Sequence, residues 1–346
     1  MPLLRVLLLA DTHVGLDMPA RPRIQRRRRG ADFVANYHLA VEPAFERPRE
    51  LDLVVHGGDL LDRSEVPPEQ VQTAMAPLMR AAAAGVPVVL VPGNHERSRI
   101  PLPLLAHHPS IHILHQPRTV VLESRGLRVA VGGWPYRPDV RARFASLVQS
   151  TGLLDTPADV RLLCLHQAVE GARVAAHDFV FRRGRDVIRC GDLPDTIAAI
   201  LSGHIHRAQV LRSDLHRRPL PTNVVYPGAV ERTAFAERLE PKGYAVLLFE
   251  PDERGGRLVS RRFVELPARP MVVLDLCHLQ TTQAIITAIK NQLNQSHPSA
   301  VIQVRLDPST QVSAAAIRRL APSTINIELS YPTLRKKRRT AERASG

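Results

Sequence analysis

The stretch LDLVVHGGDLLD, residues 51–62, carries an apolar run that leads through two glycines to a carboxylate, Asp59. A short apolar run that ends at a polar residue is typical of a buried strand whose carboxyl end presents a polar side chain. Other apolar runs likewise end in polar motifs, in LLRVLLLADTH (3–13), PVVLVPGNHE (87–96), VRLLCLH (160–166) and AAILSGHIH (198–206). The sequence therefore predicts several buried strands that each end at chemically active residues.

Helical patterns lie between the first three of these runs. The segment from Pro68 to Ala84 is alanine-rich and compatible with a helix. Before it, apolar side chains recur at the spacing of one helix face, at Phe33, Tyr37, Ala40, Val41 and Ala44. This alternation of strand and helix predicts α/β layering, with ligands gathered at the carboxyl ends of the strands.

Two further groups of elements are predicted after residue 206. Short strand-like pieces are expected to form a second sheet packed on the first: AQVLR (208–212), NVVYPG (223–228), GYAVLLFE (243–250) and RLVSRRFVEL (257–266). From about Pro270 a small α/β unit is predicted, with strands MVVLDL (271–276), AVIQVRL (300–306) and INIEL (325–329). Its helix carries one apolar face, formed by Ile285, Ile286, Ile289 and Leu293.

Positive charge dominates the composition. The chain has 47 Lys and Arg against 33 Asp and Glu, a formal net charge of +14, and lysine occurs only at Lys242, Lys290, Lys336 and Lys337. Guanidinium groups suit contacts with phosphate. A codon bias toward arginine explains the ratio of Arg to Lys equally well, but it does not explain the net excess. An acidic partner such as nucleic acid explains the sign of the charge better.

Several classes of protein are disfavoured. No apolar run reaches the roughly 18 residues that a membrane span needs, and Arg5 interrupts the first run, so neither a membrane span nor a signal peptide is expected. Cys164, Cys190 and Cys277 are far apart and form no CxxC pair, which disfavours a disulfide framework and a zinc knuckle. A cytoplasmic location is the simplest expectation.

The polar ends of the runs offer the donors of a two-metal site. Two divalent ions about 3.5–4 Å apart hydrolyse phosphate esters by holding a bridging hydroxide and neutralising phosphoryl oxygens, which requires many hard or borderline ligands. Seven candidates stand in order along the chain: Asp11, His13, Asp59, Asn94, His166, His204 and His206. Each motif alone is weak evidence for a metal site, because an isolated histidine is more often a surface or core residue than a ligand. Five pieces in order, each at the end of an apolar run, favour the functional reading.

The series resembles that of the calcineurin-like metallophosphoesterase superfamily, D-x-H, G-D-x-x-D, G-N-H-D/E, H and G-H-x-H, over about residues 5–250. Within it, VVYPGAVERTAFAERLEPKGY (224–244) is similar to the segment Y-P-G-S-x-x-R-x-x-F-x-E…K-G-[FY] of SbcD-type DNA exonucleases. The resemblance implies a four-layer α/β/β/α sandwich with a small C-terminal α/β capping domain. We accordingly expect a nuclease domain at 1–267, a capping domain at 268–333 and a basic disordered tail at 334–346.

The resemblance also implies roles for particular residues. One ion, with manganese as the usual metal, would be held by Asp11, His13, Asp59 and His206. The other would be held by Asp59, Asn94, His166 and His204. The catalytic residue would be His95, which contacts the scissile phosphate, and its alternative is a purely structural role. Asp62, where archaeal and eukaryotic relatives have histidine, would either orient His95 as its partner or form part of the structure behind the site, and Glu96 replaces the usual aspartate.

The implied function is a metal-dependent DNA exonuclease, or phosphodiesterase, that acts on DNA ends in repair. The expected partners are DNA, as double-stranded ends or single strands, an SMC-like (SbcC-type) ATPase and a second copy of the chain. Arg21, Arg23 and Arg26–Arg29 either line a DNA path or form a solvated loop. The rival enzyme is a metallophosphoesterase for a small phosphodiester or a phosphoprotein, and the remaining alternative is a binding module with a decayed site.

Overall fold

The apolar N-terminal run forms a buried strand inside a mixed sheet. The computed structural model describes residues 2–19, 26–97, 108–174 and 178–332. The strands are β1 (Leu4–Leu9), β2 (Leu53–His56), β3 (Val88–Leu90), β4 (Ile111–Ile113), β5 (Arg118–Ser124), β6 (Leu127–Gly133), β7 (Val160–Leu165), β8 (Ala168–Val169), β9 (Arg173–Val174), β10 (Phe179–Val180), β11 (Val187–Ile188), β12 (Ala199–Ser202), β13 (Gln209–Ser213), β14 (Pro219–Tyr226), β15 (Gly243–Glu250), β16 (Arg257–Glu265), β17 (Met271–Asp275), β18 (Val301–Arg305) and β19 (Asn326–Ser330). The α-helices are α1 (Arg29–Val41), α2 (Pro43–Glu46), α3 (Pro68–Ala83), α4 (Val140–Thr151), α5 (Thr282–Gln295) and α6 (Ala314–Leu320).

The first sheet has the order β16-β15-β1-β2-β3-β4. Strands β1 to β4 run parallel, with α1 and α3 in the connections, as the alternation of patterns predicted. The apolar faces of these helices pack on the sheet in one core cluster, which includes Tyr37, Leu78 and Leu9. Tyr37 is fully buried and donates a hydrogen bond from its hydroxyl to the Ala74 carbonyl, 2.8 Å away, which ties α1 to α3.

The second sheet differs from the expectation in its membership. Its order is β13-β14-β12-β7-β6-β5, so it contains the strands that precede His166 and His204. Of the C-terminal strands, β13 and β14 join it, whereas β15 and β16 extend the first sheet beside β1. Because β1 is buried, its open edge needs backbone partners, and the antiparallel strand β15 supplies them.

The two sheets pack face to face. Their shared core includes Leu8 and Val55 from the first sheet and Leu162 and Leu201 from the second. Helix α4 covers the outer face of the second sheet, where Phe144 packs edge-on against Trp134 with ring centroids 5.8 Å apart. The layers are therefore helix, sheet, sheet and helix, and the predicted α/β/β/α fold class is confirmed.

A second compact unit contains Arg269 and the described residues after it, together with Arg26 and Arg27. Its parallel sheet has the order β17-β18-β19. Helix α5 begins after Thr281, whose hydroxyl accepts a hydrogen bond from the Ala284 amide, and Ile285 and Ile289 are buried in this unit's core. The domain limits given above stay predictions, and the basic tail at 334–346 lies outside the described residues.

Across the described ranges, no helix combines the length and the apolar character needed to cross a membrane.

Candidate metal centre

Strand ends from both sheets bring the predicted side chains together. Asp11 and His13 follow β1, Asp59 follows β2, and Asn94 follows β3 in the first sheet. In the second sheet, His166 follows β7 directly, and His204 and His206 follow β12. The groups Asp11/His13/His206, His13/Asp59/His95 and Asp11/Asp59/His166 each have donor atoms within 4.8 Å of one another. The shared members of these groups join them into one cluster.

Backbone strain is concentrated at these residues. Asp11, His13, Asp59 and His204 have φ angles of 52°, 43°, 51° and 79°, in the left-handed region that such residues rarely adopt. Each such residue costs on the order of 1–3 kcal/mol and persists only where its surroundings hold it. Here the Asp11 amide donates to the Gly58 carbonyl at 2.9 Å, and the His13 amide donates to the Asp59 carbonyl at 3.0 Å. These strained residues lower the stability of the fold, and their backbone conformation directs the side chains inward.

Two glycines allow the loops to approach one another. A Cβ atom on Gly93 would lie 2.1 Å from Asp59 Oδ1, and one on Gly203 would lie 2.3 Å from the Gly57 carbonyl oxygen. Any larger residue at either position would push the loop that carries Asn94, or the loop that carries His204, away from its neighbours. The glycines of these motifs are therefore required by close packing at the site.

One side of the cluster is formed by His13, His206 and two carboxylates. The Nε2 atoms of His13 and His206 lie 3.2 Å apart. His206 Nε2 is 3.7 Å from Asp11 Oδ1, and His13 Nε2 is 4.0 Å from Asp59 Oδ2. Asp11 Oδ2 and His13 Nδ1 are buried without a hydrogen-bond partner among the described residues. Buried polar atoms are normally satisfied, so these two mark a place where a further group is expected.

The other side is formed by Asn94, His166 and His204. Asn94 Oδ1 lies 3.1 Å from His166 Nε2 and 2.9 Å from His204 Nδ1. His166 Nε2 is also 3.3 Å from Asp59 Oδ2, so Asp59 faces both sides of the cluster. The Gly57 carbonyl lies 2.7 Å from His166 Nδ1 and fixes the ring.

This donor set fits divalent cations. Carboxylate oxygens, an amide oxygen and imidazole nitrogens are ligands that Mn²⁺ and similar ions accept. The Nε2 atoms of His13 and His206, 3.2 Å apart and each within 4.0 Å of a carboxylate oxygen, bring nitrogen and oxygen donors close together as a cation site requires. A cation on the side formed by Asp11, His13 and His206 would also satisfy Asp11 Oδ2, which is buried without a hydrogen-bond partner among the described residues.

The charges of the cluster shift its pKa values in opposite directions. Burial alone would disfavour imidazolium at His166, but the Asp59 carboxylate beside it raises the pKa of His166 to about 9. Burial and the neighbouring His166 lower the pKa of His204 to about 3. Burial, followed by His206, holds the pKa of His13 well below its usual range. Cations and protons compete for these donors, so metal binding here must release protons.

His95 differs from these residues because its side chain is 41% exposed. Its Nδ1 lies 2.7 Å from the backbone carbonyl of Asp62, and its Nε2 lies 3.9 Å from Asp59 Oδ2. The Asp62 carboxylate is farther, with Oδ1 3.9 Å from His95 Nδ1. Asp62 therefore contacts the ring most closely through its main chain, which any residue at this position would supply.

Glu96 closes the loop that carries Asn94 and His95. Its buried carboxylate accepts hydrogen bonds from the Leu61 amide at 2.8 Å and the Gly93 amide at 2.6 Å. Burial, and then the nearby Asp59 charge, raises the pKa of Glu96 to about 8, although both N–H donors favour the ionised form. The Glu96 side chain, one methylene longer than the usual aspartate, thus links the Asn94 loop to the Asp59 loop.

We expect Glu96→Ala to lower the free energy of unfolding by at least about 2 kcal/mol, because two buried N–H groups lose their acceptor and each costs about 1–3 kcal/mol. Urea unfolding of the metal-free chain in a chelator measures the change. Glu65→Ala is the control, since Glu65 is exposed and should change stability by less than about 0.5 kcal/mol. Equal losses in the two variants would contradict the role of Glu96.

The sequence patterns did not identify two contacts of the cluster. His206 Nδ1 lies 3.0 Å from Glu237 Oε1, and the Glu237 carboxylate is paired with Lys242 at 2.7 Å. Both residues belong to the segment 224–244, whose similarity to a family segment was the only signal for them. The Tyr136 ring lies 5.5 Å from the His204 ring, and no pattern marked Tyr136.

Two of the arginines suggested for a DNA path are engaged inside the fold. Arg28 pairs with Asp17 at 3.2 Å. Arg29 is buried and donates a hydrogen bond to the Arg232 carbonyl. Their guanidinium groups therefore hold the start of α1, which argues against a role in a DNA path. Arg21 and Arg23 lie outside the described residues.

Comparison with known proteins identifies the family. The calcineurin-like phosphoesterase family matches residues 4–208. The chain is 24% identical over 217 residues to a DNA double-strand break repair protein Mre11 of Saccharolobus solfataricus, covering 61% of this chain and 52% of that protein. It is 23% identical over 335 residues to the Mre11 protein of Archaeoglobus fulgidus, covering 92% of this chain and 71% of that protein. The chain thus spans 52–71% of the length of these relatives.

Among solved structures, a dimetal phosphatase from Danio rerio aligns with 77% of this chain and 100% of its own, at 14% identity and a TM-score of 0.45. The family match covers more than half of the chain, including all seven predicted donors, and it agrees with the resemblance seen in the motifs. The chain therefore belongs to the calcineurin-like phosphoesterase family and is a metal-dependent hydrolase of phosphoester bonds.

Proposed function

We propose that this chain is a Mn²⁺-dependent DNA exonuclease of the SbcD type, which hydrolyses phosphodiester bonds at DNA ends during repair in the cytoplasm. The observation that carries the proposal is the convergence of carboxylate, amide and imidazole donors from five strand ends. The relatives named for repair of DNA double-strand breaks support DNA as the substrate. An SMC-like ATPase and a second copy of the chain are its proposed protein partners.

We assign the donors to two divalent cations. One set consists of Asp11, His13, Asp59 and His206, and the other consists of Asp59, Asn94, His166 and His204. When bound, the cations supply positive charge beside the phosphoryl oxygens and activate water for attack. Asp59 is assigned to both sets because its Oδ2 faces His13 on one side and His166 on the other.

His95 is proposed to act directly on the phosphate. Its partly exposed ring can meet a substrate, while the Asp62 carbonyl beside Nδ1 leaves Nε2 free to face the phosphate. From there Nε2 stabilises charge on the phosphoryl group or donates a proton to the leaving oxygen. The Asp59 carboxylate also accepts the His95 amide hydrogen at 2.9 Å, which holds the backbone of this residue against the cluster.

A surface of this chain suits a polyanionic substrate. We define the arginine loop as Arg182, Arg183, Arg185 and Arg189, which are exposed and, among the described residues, have no carboxylate within ion-pair distance. The loop is held to the site through Gln167, the residue after His166, whose Nε2 donates to the Asp186 carbonyl at 3.3 Å. Uncompensated guanidinium groups beside a hydrolytic site favour contact with successive phosphates.

Replacing Arg183 and Arg185 with serine should weaken DNA binding and flatten its dependence on salt. Each lost phosphate contact lowers the slope of log affinity against log salt by roughly 0.9, so a fall of up to about two is expected. Fluorescence anisotropy with labelled duplex DNA at several salt concentrations measures the slope.

The matched control replaces Arg128 and Arg254, which are exposed at the amino-terminal end of β6 and in the turn between β15 and β16. The control removes the same charge, so it separates a local contact from the effect of net charge. An unchanged slope in the first variant, or an equal fall in both, would refute the proposed path.

The test of the proposed function is incubation of the purified chain with end-labelled linear duplex DNA, and separately with single-stranded DNA, in the presence of Mn²⁺. Shortening from the ends, abolished by chelator and by His95→Ala, is the expected result. Cleavage of a small chromogenic diester without loss of DNA would favour the rival metallophosphoesterase. Metal binding without any hydrolysis would favour a binding module.

A further inference from the structure

A buried ion-pair cluster stands directly behind His206. We call it the carboxylate clamp and define it as Glu237, Thr233, Lys242 and Glu240. Lys242 has no exposed side-chain surface, and its Nζ lies 2.7 Å from Glu237 Oε2 and 3.2 Å from Glu240 Oε2. The burial of a charged lysine without carboxylate partners would be strongly unfavourable. Lys242 therefore depends on the carboxylates of the clamp, and its charge stabilises them in return.

The clamp holds His206 at two points. Glu237 Oε1 and Thr233 Oγ1 lie 3.0 and 3.1 Å from His206 Nδ1, and the Thr233 hydroxyl lies 2.6 Å from the same carboxylate oxygen. Lys242 Nζ donates to the backbone carbonyl of His206 at 2.9 Å. Both the ring and the main chain of His206 are therefore anchored to one ion pair.

The anchored ring has a defined orientation. With Nδ1 donating its hydrogen to the carboxylate, the lone pair of Nε2 points toward His13 Nε2 at 3.2 Å and Asp11 Oδ1 at 3.7 Å. A carboxylate on one imidazole nitrogen fixes the tautomer and makes the opposite nitrogen a stronger donor to a cation.

The clamp distinguishes His206 from the other imidazoles of the cluster. His166 Nδ1 faces the Gly57 carbonyl, and His204 Nδ1 faces the Asn94 amide oxygen. His13 Nδ1 has no hydrogen-bond partner among the described residues, and the Asp62 carboxylate is 3.9 Å away. Among these four rings, only His206 has a carboxylate within hydrogen-bond distance of Nδ1.

We propose that Glu237 is a positioning residue that acts through His206 to raise the affinity of the Asp11/His13/His206 side for its cation, and that the other side does not depend on it. This inference rests on the metal assignment made under Proposed function, and it does not require DNA to be the substrate. Loss of such a partner of a ligating histidine weakens metal binding by roughly 10- to 100-fold.

The test is calorimetric titration of Mn²⁺ into the whole metal-free chain, without DNA. Two equivalents are expected to bind to the unaltered protein. Glu237→Gln should weaken one equivalent by roughly 10- to 100-fold and leave the other unchanged. The matched control is Glu231→Gln, since Glu231 is a buried carboxylate of the same segment that bonds to Asn36 and the Arg232 amide.

A double-mutant comparison separates positioning from a general structural role. If Glu237 acts only through His206, then Glu237→Gln added to His206→Ala should cause no further loss of affinity. Wild-type affinity in folded Glu237→Gln, equal losses in Glu231→Gln, or a further loss in the double variant would each overturn the proposal.

A conservative variant covers the case in which Glu237→Gln does not fold. Glu237→Asp keeps the negative charge beside Lys242 and withdraws the carboxylate from His206 Nδ1 by one methylene. A weaker single equivalent is expected in this variant too, and wild-type affinity would overturn the proposal. Failure of the unaltered chain to bind any Mn²⁺ would instead refute the metal assignment itself.

Discussion

Asp59→Asn should reduce Mn²⁺-dependent phosphodiester hydrolysis by at least about 1000-fold, which corresponds to about 4 kcal/mol of transition-state stabilisation. Asp59 is buried, and its Oδ2 lies 3.3 Å from His166 Nε2 and 4.0 Å from His13 Nε2, so one carboxylate serves both sides of the cluster. In the unaltered protein, Asp59 Oδ1 accepts a hydrogen bond from the His95 amide at 2.9 Å. Asparagine has nearly the same shape and keeps a side-chain oxygen that can accept this hydrogen bond. The expected loss is therefore one of charge and of metal affinity.

Steady-state hydrolysis of a chromogenic diester and Mn²⁺ titration together measure this effect. Asp155→Asn is the control, because Asp155 is exposed and removal of its charge leaves the cluster untouched. If Asp59→Asn kept its affinity for both equivalents of Mn²⁺, the assignment of Asp59 to both ions would be wrong.

His95→Ala should lower kcat by roughly 100- to 10,000-fold while the affinity for Mn²⁺ stays close to that of the unaltered protein. The ring is partly exposed, and its closest contact is the Asp62 carbonyl, so its removal leaves no buried donor without a partner. Single-turnover hydrolysis at saturating Mn²⁺ measures the chemical step, and calorimetry measures the metal affinity.

His115→Ala is a close match as a control. His115 is also exposed, and its Nδ1 lies 3.1 Å from the Ile113 carbonyl. Among the contacts of the described residues, none joins its ring to a predicted site residue. A fall in Mn²⁺ affinity as large as the fall in kcat for His95→Ala would mean that His95 holds a metal and does not act on the phosphate.

The strand ends that carry the candidate donors were predictable from the local sequence. An apolar run that ends in a polar motif marks the carboxyl end of a buried strand, and β1, β2, β3, β7 and β12 all form where such runs occur. The helical spacing of Phe33 and Tyr37 likewise predicted α1, because only one face of that helix needs to be apolar. The family followed from the order of these pieces along the chain.

The partition of strands between sheets was not predictable in this way. GYAVLLFE (243–250) was expected in the second sheet, but it pairs with β1 in the first. A period-two pattern reports that one face of a strand is buried, and it carries no information about which edge the strand will pair with. The same limit applies to Asp62, whose carbonyl, not its carboxylate, lies nearest His95.

The sequence by itself determined the kinds of donor, their order and their place at strand ends, since these depend on residue type and short-range periodicity. Only the tertiary structure decided that donors from two sheets meet, that Asp59 faces both sides, and that Glu237 stands behind His206. Contacts such as His13 with His206 join residues 193 positions apart. Such contacts arise from the pairing and packing of whole sheets, which no local pattern encodes.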